Sequence, residues 1–570
     1  MTKYIIVAGG VISGVGKGVT TASIAKILQE YGYSVTAIKI DPYLNYDAGT
    51  LRPTEHGEVW VTEDGGEIDQ DLGNYERFLN VSIPKKNNIT SGQIYRKVID
   101  KERKGEFLGR TVQFIPHIPE EIIRRLKESG KGYDFCLVEI GGTIGDFENI
   151  PFLFAAKRLE REIGENNVLY VLVTYLPIPG HMGEMKTKPT QQAIRMLSET
   201  GIFPDFIICR ASKALDDVRK KKVETYANIS SEYIISEPDI DTIYRIPLDL
   251  EKENLGLKIL AEFHMKLKRK PAFKKWADHV ERIAKPKQKI RIALVGKYVD
   301  IGSFTLKDSY ISINESLLHA GAALDTGVCI DWVDAKNLEK GLTGVLKKYN
   351  GIIVPGGFGS SGVEGKINAI RYARENNIPY LGLCYGLQLA VVEFARNVAG
   401  LEGANTTENN KKTKYPVIDV LPSQKEVLEN HDYGGTMRLG AYAAKLEKNS
   451  RVYSLYGETG RLREDKKKIE RLQKDKSQRF RLGKLKGGEL ILERHRHRYE
   501  VNPEFVSRLK EKGLAFSGHH IRGDDKKLME FIELPDLDFF VATQAHPEFK
   551  SGLGNPHPLF LGFVKACKGR

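Results

Sequence analysis

The chain has 570 residues, 41% of them hydrophobic and 28% charged, which is too long for one hydrophobic core and excludes disordered, fibrous and membrane-embedded classes. The longest apolar run, Val168 to Leu176, is strand-sized, and Met1 to Gly10 passes straight into a β-like run without the pattern of a signal peptide, so a cytosolic chain with no membrane association is expected. The net charge is +13, but residues 461–486 hold 12 Lys or Arg against 4 Asp or Glu and supply +8 of it, so the charge is local and no nucleic-acid role is expected from it.

From Lys3 to about residue 265, β-branched runs alternate with helical patterns, which predicts a mainly parallel sheet covered by helices, with ligands beyond the carboxyl ends of its strands. The first strand, Tyr4 to Ala8, leads into GGVISGVGKGVTTASIAKIL, a glycine-rich loop opening a helix, whose amides and Lys17 suit a polyphosphate such as ATP. Val11 and Gly18 depart from the usual P-loop pattern, Gly18 replacing the hydroxyl residue that holds magnesium; a tight strand-to-helix turn is the structural alternative. Lys39, on the second strand (Val35 to Ile40), needs an anion if buried, and a phosphate would supply one. With no loop hydroxyl, Mg2+ needs carboxylates from elsewhere. The candidates are Asp71, in TEDGGEIDQDLGNYERF, and Glu139, on the strand Phe135 to Ile140; for Asp71 the alternative is a solvated loop charge. After the strand Val168 to Thr174, Lys186 and Lys188 flank Thr187 ahead of Pro189, either a triphosphate contact or an exposed basic turn. The strand Phe206 to Cys209 closes the series.

Residues 266–289 are dense in charge with proline at both ends, and are expected to join a domain 1–265 to a domain 290–570. Strands resume at Ile290 to Val295, Gly351 to Val354, Tyr380 to Leu383 and Phe539 to Thr543. Cys384 sits between small glycines in PYLGLCYGLQ, where a strand turns into a helix, the setting of an activated nucleophile. His546 follows the last strand and can act as its base, with Glu548 orienting the imidazole. The amides of Gly357, in PGGFG, and Tyr385 are candidate oxyanion donors. No two cysteines form a C-x-x-C pair, so disulfides and structural zinc are not expected, and Cys136, Cys209, Cys329 and Cys567 are expected as buried small hydrophobes. The stretch 461–486 is expected as a solvated helix or loop, with polyanion binding as the alternative.

PYLGLCYGLQ, HPEF and PGGFG resemble the class I glutamine amidotransferases. SGVGKG, KIDPYLN, HGEVWVTEDG, DLGNYERF, VEIGGTIGD and KTKPTQ resemble the synthase half of the CTP synthase family, and the likeness runs over nearly the whole chain. The resemblance implies two α/β parallel-sheet domains: a P-loop, dethiobiotin-synthetase-like, Rossmann-type synthase domain and a flavodoxin-like amidotransferase domain. The implied reaction uses ATP to phosphorylate O4 of UTP, and ammonia from L-glutamine then displaces the phosphate to give CTP. Free ammonia would protonate in water, so an internal passage is expected.

By position, the resemblance places ATP on Gly14, Val15, Gly16, Lys17, Gly18 and Val19, with adenine near Pro238, Asp239 and Ile240, and Mg2+ on Asp71 and Glu139. UTP or CTP falls on Ser13, Asp146, Phe147, Glu148, Lys186, Thr187, Lys188, Pro189, Thr190, Gln191 and Lys222. Glutamine falls on Gly357, Tyr385, Gly386, Leu387, Gln388, Glu408 and Arg498. It further implies activation by GTP, feedback inhibition by CTP, and homotetramers that can stack into filaments. Ser360 and Ser361 replace the bulkier residues that follow GGFG in many members, which bears on the GTP response, and 461–486 looks like an insertion. Two other readings remain open: an amidoligase acting on a cofactor carboxylate, and a non-enzymatic P-loop switch ATPase with a glutaminase-like interaction domain.

Overall fold

A computed structural model of the chain describes all residues except 52–56, 182, 297–306, 358, 360, 421–436, 486 and 570. Ser360 and Lys486 therefore lie outside the described residues. The chain forms two compact units, one of Met1–Ala48 with Ile68–Val280, the other of Gly49–Glu67 with Glu281–Arg570. The change of unit after Val280 falls within the helix Lys274–Ala284, inside the expected joint. The excursion of 49–67 into the second unit has no counterpart in the sequence pattern.

In the first unit seven strands form one parallel sheet in the order Asn88–Thr90, Val35–Asp41, Phe135–Ile140, Lys3–Gly9, Val168–Tyr175, Phe206–Ala211, Ile234–Pro238. Helices cover both faces, so Val35–Asp41 and Phe135–Ile140 are buried along their whole length, as parallel strands are. Register sets Lys39 beside Glu139 across two neighbouring strands. Both stand near the carboxyl ends, where the loop after Gly9 also begins.

In the second unit five parallel strands run Thr326–Asp334, Gln288–Gly296, Gly351–Val354, Tyr380–Leu383, Phe540–Thr543. The sheet continues antiparallel through Lys527–Glu533, Ala515–Ile521, Arg438–Leu446 and Leu490–His497. Leu383 pairs with Thr543 and Val354 with Gly382, so the three segments expected to carry the glutaminase chemistry leave the carboxyl ends of adjacent interior strands.

Two expectations are corrected. Cys136, Cys209 and Cys567 are buried, but Cys329 is exposed, because it lies on the edge strand Thr326–Asp334, most of which is only partly covered. The stretch 461–486 does form a helix, Arg461–Lys474, but the helix is not simply solvated: Ile469 joins a small core with Ala441, Ala443, Leu482 and Leu492.

The part of the Lys274–Ala284 helix in the first unit is anchored by Trp276, which donates from Nε1 to Tyr244 O at 2.7 Å and packs against Phe78 and Tyr244. Trp276→Ala should destabilise that unit by about 3–5 kcal/mol, read as a lower thermal midpoint for loss of its ligand-independent fold; an unchanged midpoint would refute the anchor.

Candidate active sites

Cys384 stands between the strand Tyr380–Leu383 and the helix Tyr385–Asn397 with φ 50° and ψ −100°. That left-handed conformation is strained for a side-chain-bearing residue. Its amide donates to Thr543 O at 2.7 Å, which ties the bend to the strand that leads to His546. A methyl on Gly356 would lie 2.8 Å from His546 Cε1 and 3.6 Å from Cys384 Cβ, so only glycine lets this loop approach the reacting pair.

His546 Nδ1 lies 2.7 Å from Glu548 Oε1. Burial pulls the imidazole pKa down, but the charge of Glu548 and the charge and hydrogen bond of Cys384 outweigh it and raise it to about 10. The structure thus brings Cys384, His546 and Glu548 together, with the imidazolium the favoured form at neutral pH. They line one cavity with Gly356, Gly357, Tyr310, Arg496 and two residues of the excursion, Glu58 and Val59.

Of the expected glutamine contacts, Gly357 lines this cavity. Leu387 points into the core, and its amide donates to Cys384 O at 3.0 Å. Tyr385 is buried, and its hydroxyl accepts from Asn409 Nδ2 at 2.7 Å. Gln388 Nε2 donates to Tyr499 O at 3.0 Å, and Glu408 Oε1 accepts from the amide of Gly359 at 2.7 Å. Arg498 is half-buried between Leu490–His497 and Tyr499–Val501. Sequence reasoning passed over Gln544, whose Nε2 is 3.7 Å from Cys384 Sγ, and Arg496, whose carbonyl is 3.9 Å from it.

In the first unit, Gly16 opens the helix Lys17–Glu30 in the left-handed region without a side-chain cap. Lys17 Nζ donates to Gly142 O at 2.7 Å. Lys39 does meet anions, but they are carboxylates: Asp71, Glu139 at 2.9 Å and Asp41 at 3.8 Å. Burial pulls the Lys39 pKa down, yet Asp71, Glu139 and Asp41 hold it well above the ordinary value. Tyr75 OH also donates to Glu139.

A methyl on Gly18 would lie 2.7 Å from Asp71 Oδ1 and 3.5 Å from Glu139 Oε2. The carboxylates occupy the volume where the usual loop hydroxyl would project, a physical reason for glycine there. Burial raises Asp41 to about 7 and Asp69 to about 6, as expected where Asp41, Asp69, Asp71 and Glu139 cluster around Lys39, with Lys17 and Arg77 nearby. Such a surplus of carboxylate, with Asp41 and Glu139 buried, favours a divalent cation. No cluster of three or more His, Cys, Asp or Glu able to hold a metal occurs among the described residues.

Ser13 and Gly14 are exposed in the loop, whereas Val15, Lys17 and Gly18 are buried. Asp146 accepts from Thr143 N at 2.7 Å, and Phe147 and Glu148 are exposed. Lys186 pairs with Glu184 at 2.8 Å, and Thr190 turns inward to Thr174 at 3.0 Å. Thr187, Lys188 and Pro189 begin the helix Lys188–Ser198, and its Gln191 lines a cavity with Lys222, Lys221 and Tyr226. Pro238 ends its strand, followed by Asp239 and Ile240; Asp239 lies 3.5 Å from Arg210. Arg210, missed in the sequence, reaches over the loop, its Nη1 2.3 Å from where a methyl on Gly16 would be. The position of Arg210 near a strand's carboxyl end was a usable signal.

The raised His546 pKa implies a pH dependence. The charged imidazole contributes stability in full below its unfolded value of about 6.5, and that contribution is lost as pH rises through about 10. Glu548→Gln should move the His546 midpoint, followed by histidine NMR, and the alkaline limb of glutamine hydrolysis to lower pH; coincident curves for variant and parent would refute the pairing.

Residues 3–265 match the family model "CTP synthase N-terminus", and residues 305–566 match "Glutamine amidotransferase class-I". The CTP synthase of Pyrococcus furiosus is 48% identical over 569 residues, covering 100% of this chain and 98% of the relative. That of Methanocaldococcus jannaschii is 49% identical over 574 residues, with 100% and 98% covered. The solved glutaminase domain of Trypanosoma brucei CTPS with bound acivicin is 34% identical, covering 49% of this chain and 94% of that one, with a TM-score of 0.40. With near-half identity sustained from end to end, the chain belongs to the CTP synthase family.

Proposed function

We propose that the chain is a glutamine-hydrolysing ligase that uses ATP to aminate UTP to CTP, with residues 1–265 as synthase and 290–570 as glutaminase, to whose cavity the 49–67 segment adds Glu58 and Val59. Cys384 attacks the carboxamide of glutamine, and His546, held by Glu548, passes a proton to the leaving ammonia. The amides of Gly357 and Tyr385 take the oxyanion, and Gly386, Leu387, Gln388, Glu408 and Arg498 hold the glutamine. Water then releases glutamate from the thioester.

In the synthase unit, Gly14 to Val19, with Lys17 and Lys39, hold the ATP phosphates, and Pro238, Asp239 and Ile240 the adenine. Ser13, Asp146 to Glu148, Lys186 to Gln191 and Lys222 hold UTP, or CTP as inhibitor. Asp71 and Glu139 would hold Mg2+, which when bound neutralises charge on the transferring phosphoryl group. An amide-type oxygen leaves poorly until phosphorylated, which explains why an ATP site and an ammonia source share one chain. GTP activation, a homotetramer able to form filaments, and a cytoplasmic location complete the reading. No described helix is long and apolar enough to cross a membrane.

The observation that carries this reading is the pressing of Asp71 and Glu139 against Gly18, in a chain that also holds Cys384, His546 and Glu548 together. Incubation with ATP, UTP and glutamine should yield CTP, ADP, phosphate and glutamate. ADP release that ignores UTP would point to another amidoligase, and absence of glutamine hydrolysis to the switch ATPase. Cys384→Ala should abolish glutamine-dependent CTP formation and spare synthesis from added ammonia, whereas Lys17→Ala should abolish both. Asp71→Ala and Glu139→Ala should each raise the Mg2+ concentration needed for half-maximal turnover; a variant with parental Mg2+ dependence loses its ligand role.

A further inference from the structure

Within the second unit, the helix Arg461–Lys474 contacts Lys550 and Glu63, which belong to the two segments that also carry Glu548 and Val59 of the Cys384 cavity lining. Arg461, Asp465 and Lys468 recur at intervals of four and three residues and so share one helix face. Arg461 Nη2 donates to Lys550 O at 3.1 Å. Asp465, fully buried, accepts from Leu492 N at 3.0 Å and faces Lys550 Nζ at 3.4 Å. Lys550 ends the short turn Pro547–Lys550 that carries Glu548.

One turn further along, Lys468 Nζ lies 2.6 Å from Glu63 Oε1. The carbonyl of Glu63 accepts from Ala441 N at 2.8 Å, and Val61 O accepts from the buried Arg494 at 2.9 Å. Burial pushes the Glu63 carboxyl up, but Lys468, Arg494 and Lys550 bring it down to about 2. Trp60 of the same segment packs on Phe549 at 5.0 Å, and Phe549 stacks on His546 at 5.3 Å. Arg463, Lys466 and Lys467, by contrast, are exposed.

We propose that Arg461, Asp465 and Lys468 are positioning residues of the glutaminase reaction, fixing both the turn that bears Glu548 and the 58–63 segment, whose Glu58 and Val59 line the Cys384 cavity. This rests on the glutaminase reading above; retention of glutamine-dependent synthesis by Cys384→Ala would defeat that reading by itself, before any variant of the helix is made.

The test uses the full chain and four measurements: kcat and KM for glutamine hydrolysis, CTP formation from added ammonia, thermal midpoint, and binding of poly(U). Asp465→Asn should lower glutamine-dependent kcat by about three- to tenfold with ammonia-dependent synthesis unchanged. Lys468→Ala, at a less buried pair, should raise KM for glutamine by roughly two- to fivefold. Lys468→Arg should retain parental kinetics. Unchanged glutamine kinetics in Lys468→Ala would overturn the proposal. So would a parallel fall of both activities and the thermal midpoint, which would mark a merely structural helix. A loss of poly(U) binding without any kinetic change would overturn it in favour of a polyanion surface.

Discussion

Both reactive centres depend on contacts that a single methyl group would prevent. At Gly18 the space next to the phosphate loop is filled by the carboxylates of Asp71 and Glu139, and at Gly356 the loop lies against His546 and Cys384. A Cβ at either place would have to displace a partnered charged group, Asp71 or His546, and close packing resists that shift. The absence of a side chain is therefore as much a part of each site as the groups that react. It also accounts for the departure from the usual phosphate-loop pattern: the hydroxyl is missing because acidic groups from other segments stand in its place.

The electrostatics of the two sites run in opposite directions. Around Cys384 the charges come in a matched set, with the imidazolium of His546 between a carboxylate and the sulfur, and burial strengthens the arrangement. Around Lys17 and Lys39 the acids outnumber the bases, and burial presses protons onto Asp41 and Asp69. The first site is complete in its own charges. The second carries an excess of acid, which suits the proposed binding of a cation together with a polyanion.

Much of this was legible in the sequence, because parallel strands buried on both faces read as unbroken apolar runs. The runs Phe135–Ile140, Gly351–Val354 and Tyr380–Leu383 were placed to the residue, and the chemistry follows them directly. The antiparallel strands Arg438–Leu446, Leu490–His497, Ala515–Ile521 and Lys527–Glu533 were not, since charged and polar residues such as Arg494, His495 and Glu530 sit inside them and mask the pattern. Those side chains are buried in partnered networks, and partnership across distant segments leaves no local signature. The same reason hid Asp465 and Lys468 within what reads as a solvated charge run. Lys39 was recognised as needing an anion, but which anion depended on strand register.

The excursion of 49–67 into the second unit means that the glutaminase is not encoded by one continuous stretch of the chain. A polypeptide started at the joint near residue 281 would keep the nucleophile, its base and the entire nine-stranded sheet, yet would expose the faces of Phe549 and Arg494 that Trp60 covers. Excising this half as a free-standing catalyst thus calls for grafting back a short piece of the other half, and any evolutionary fission of the gene at that point would have faced the same obstacle.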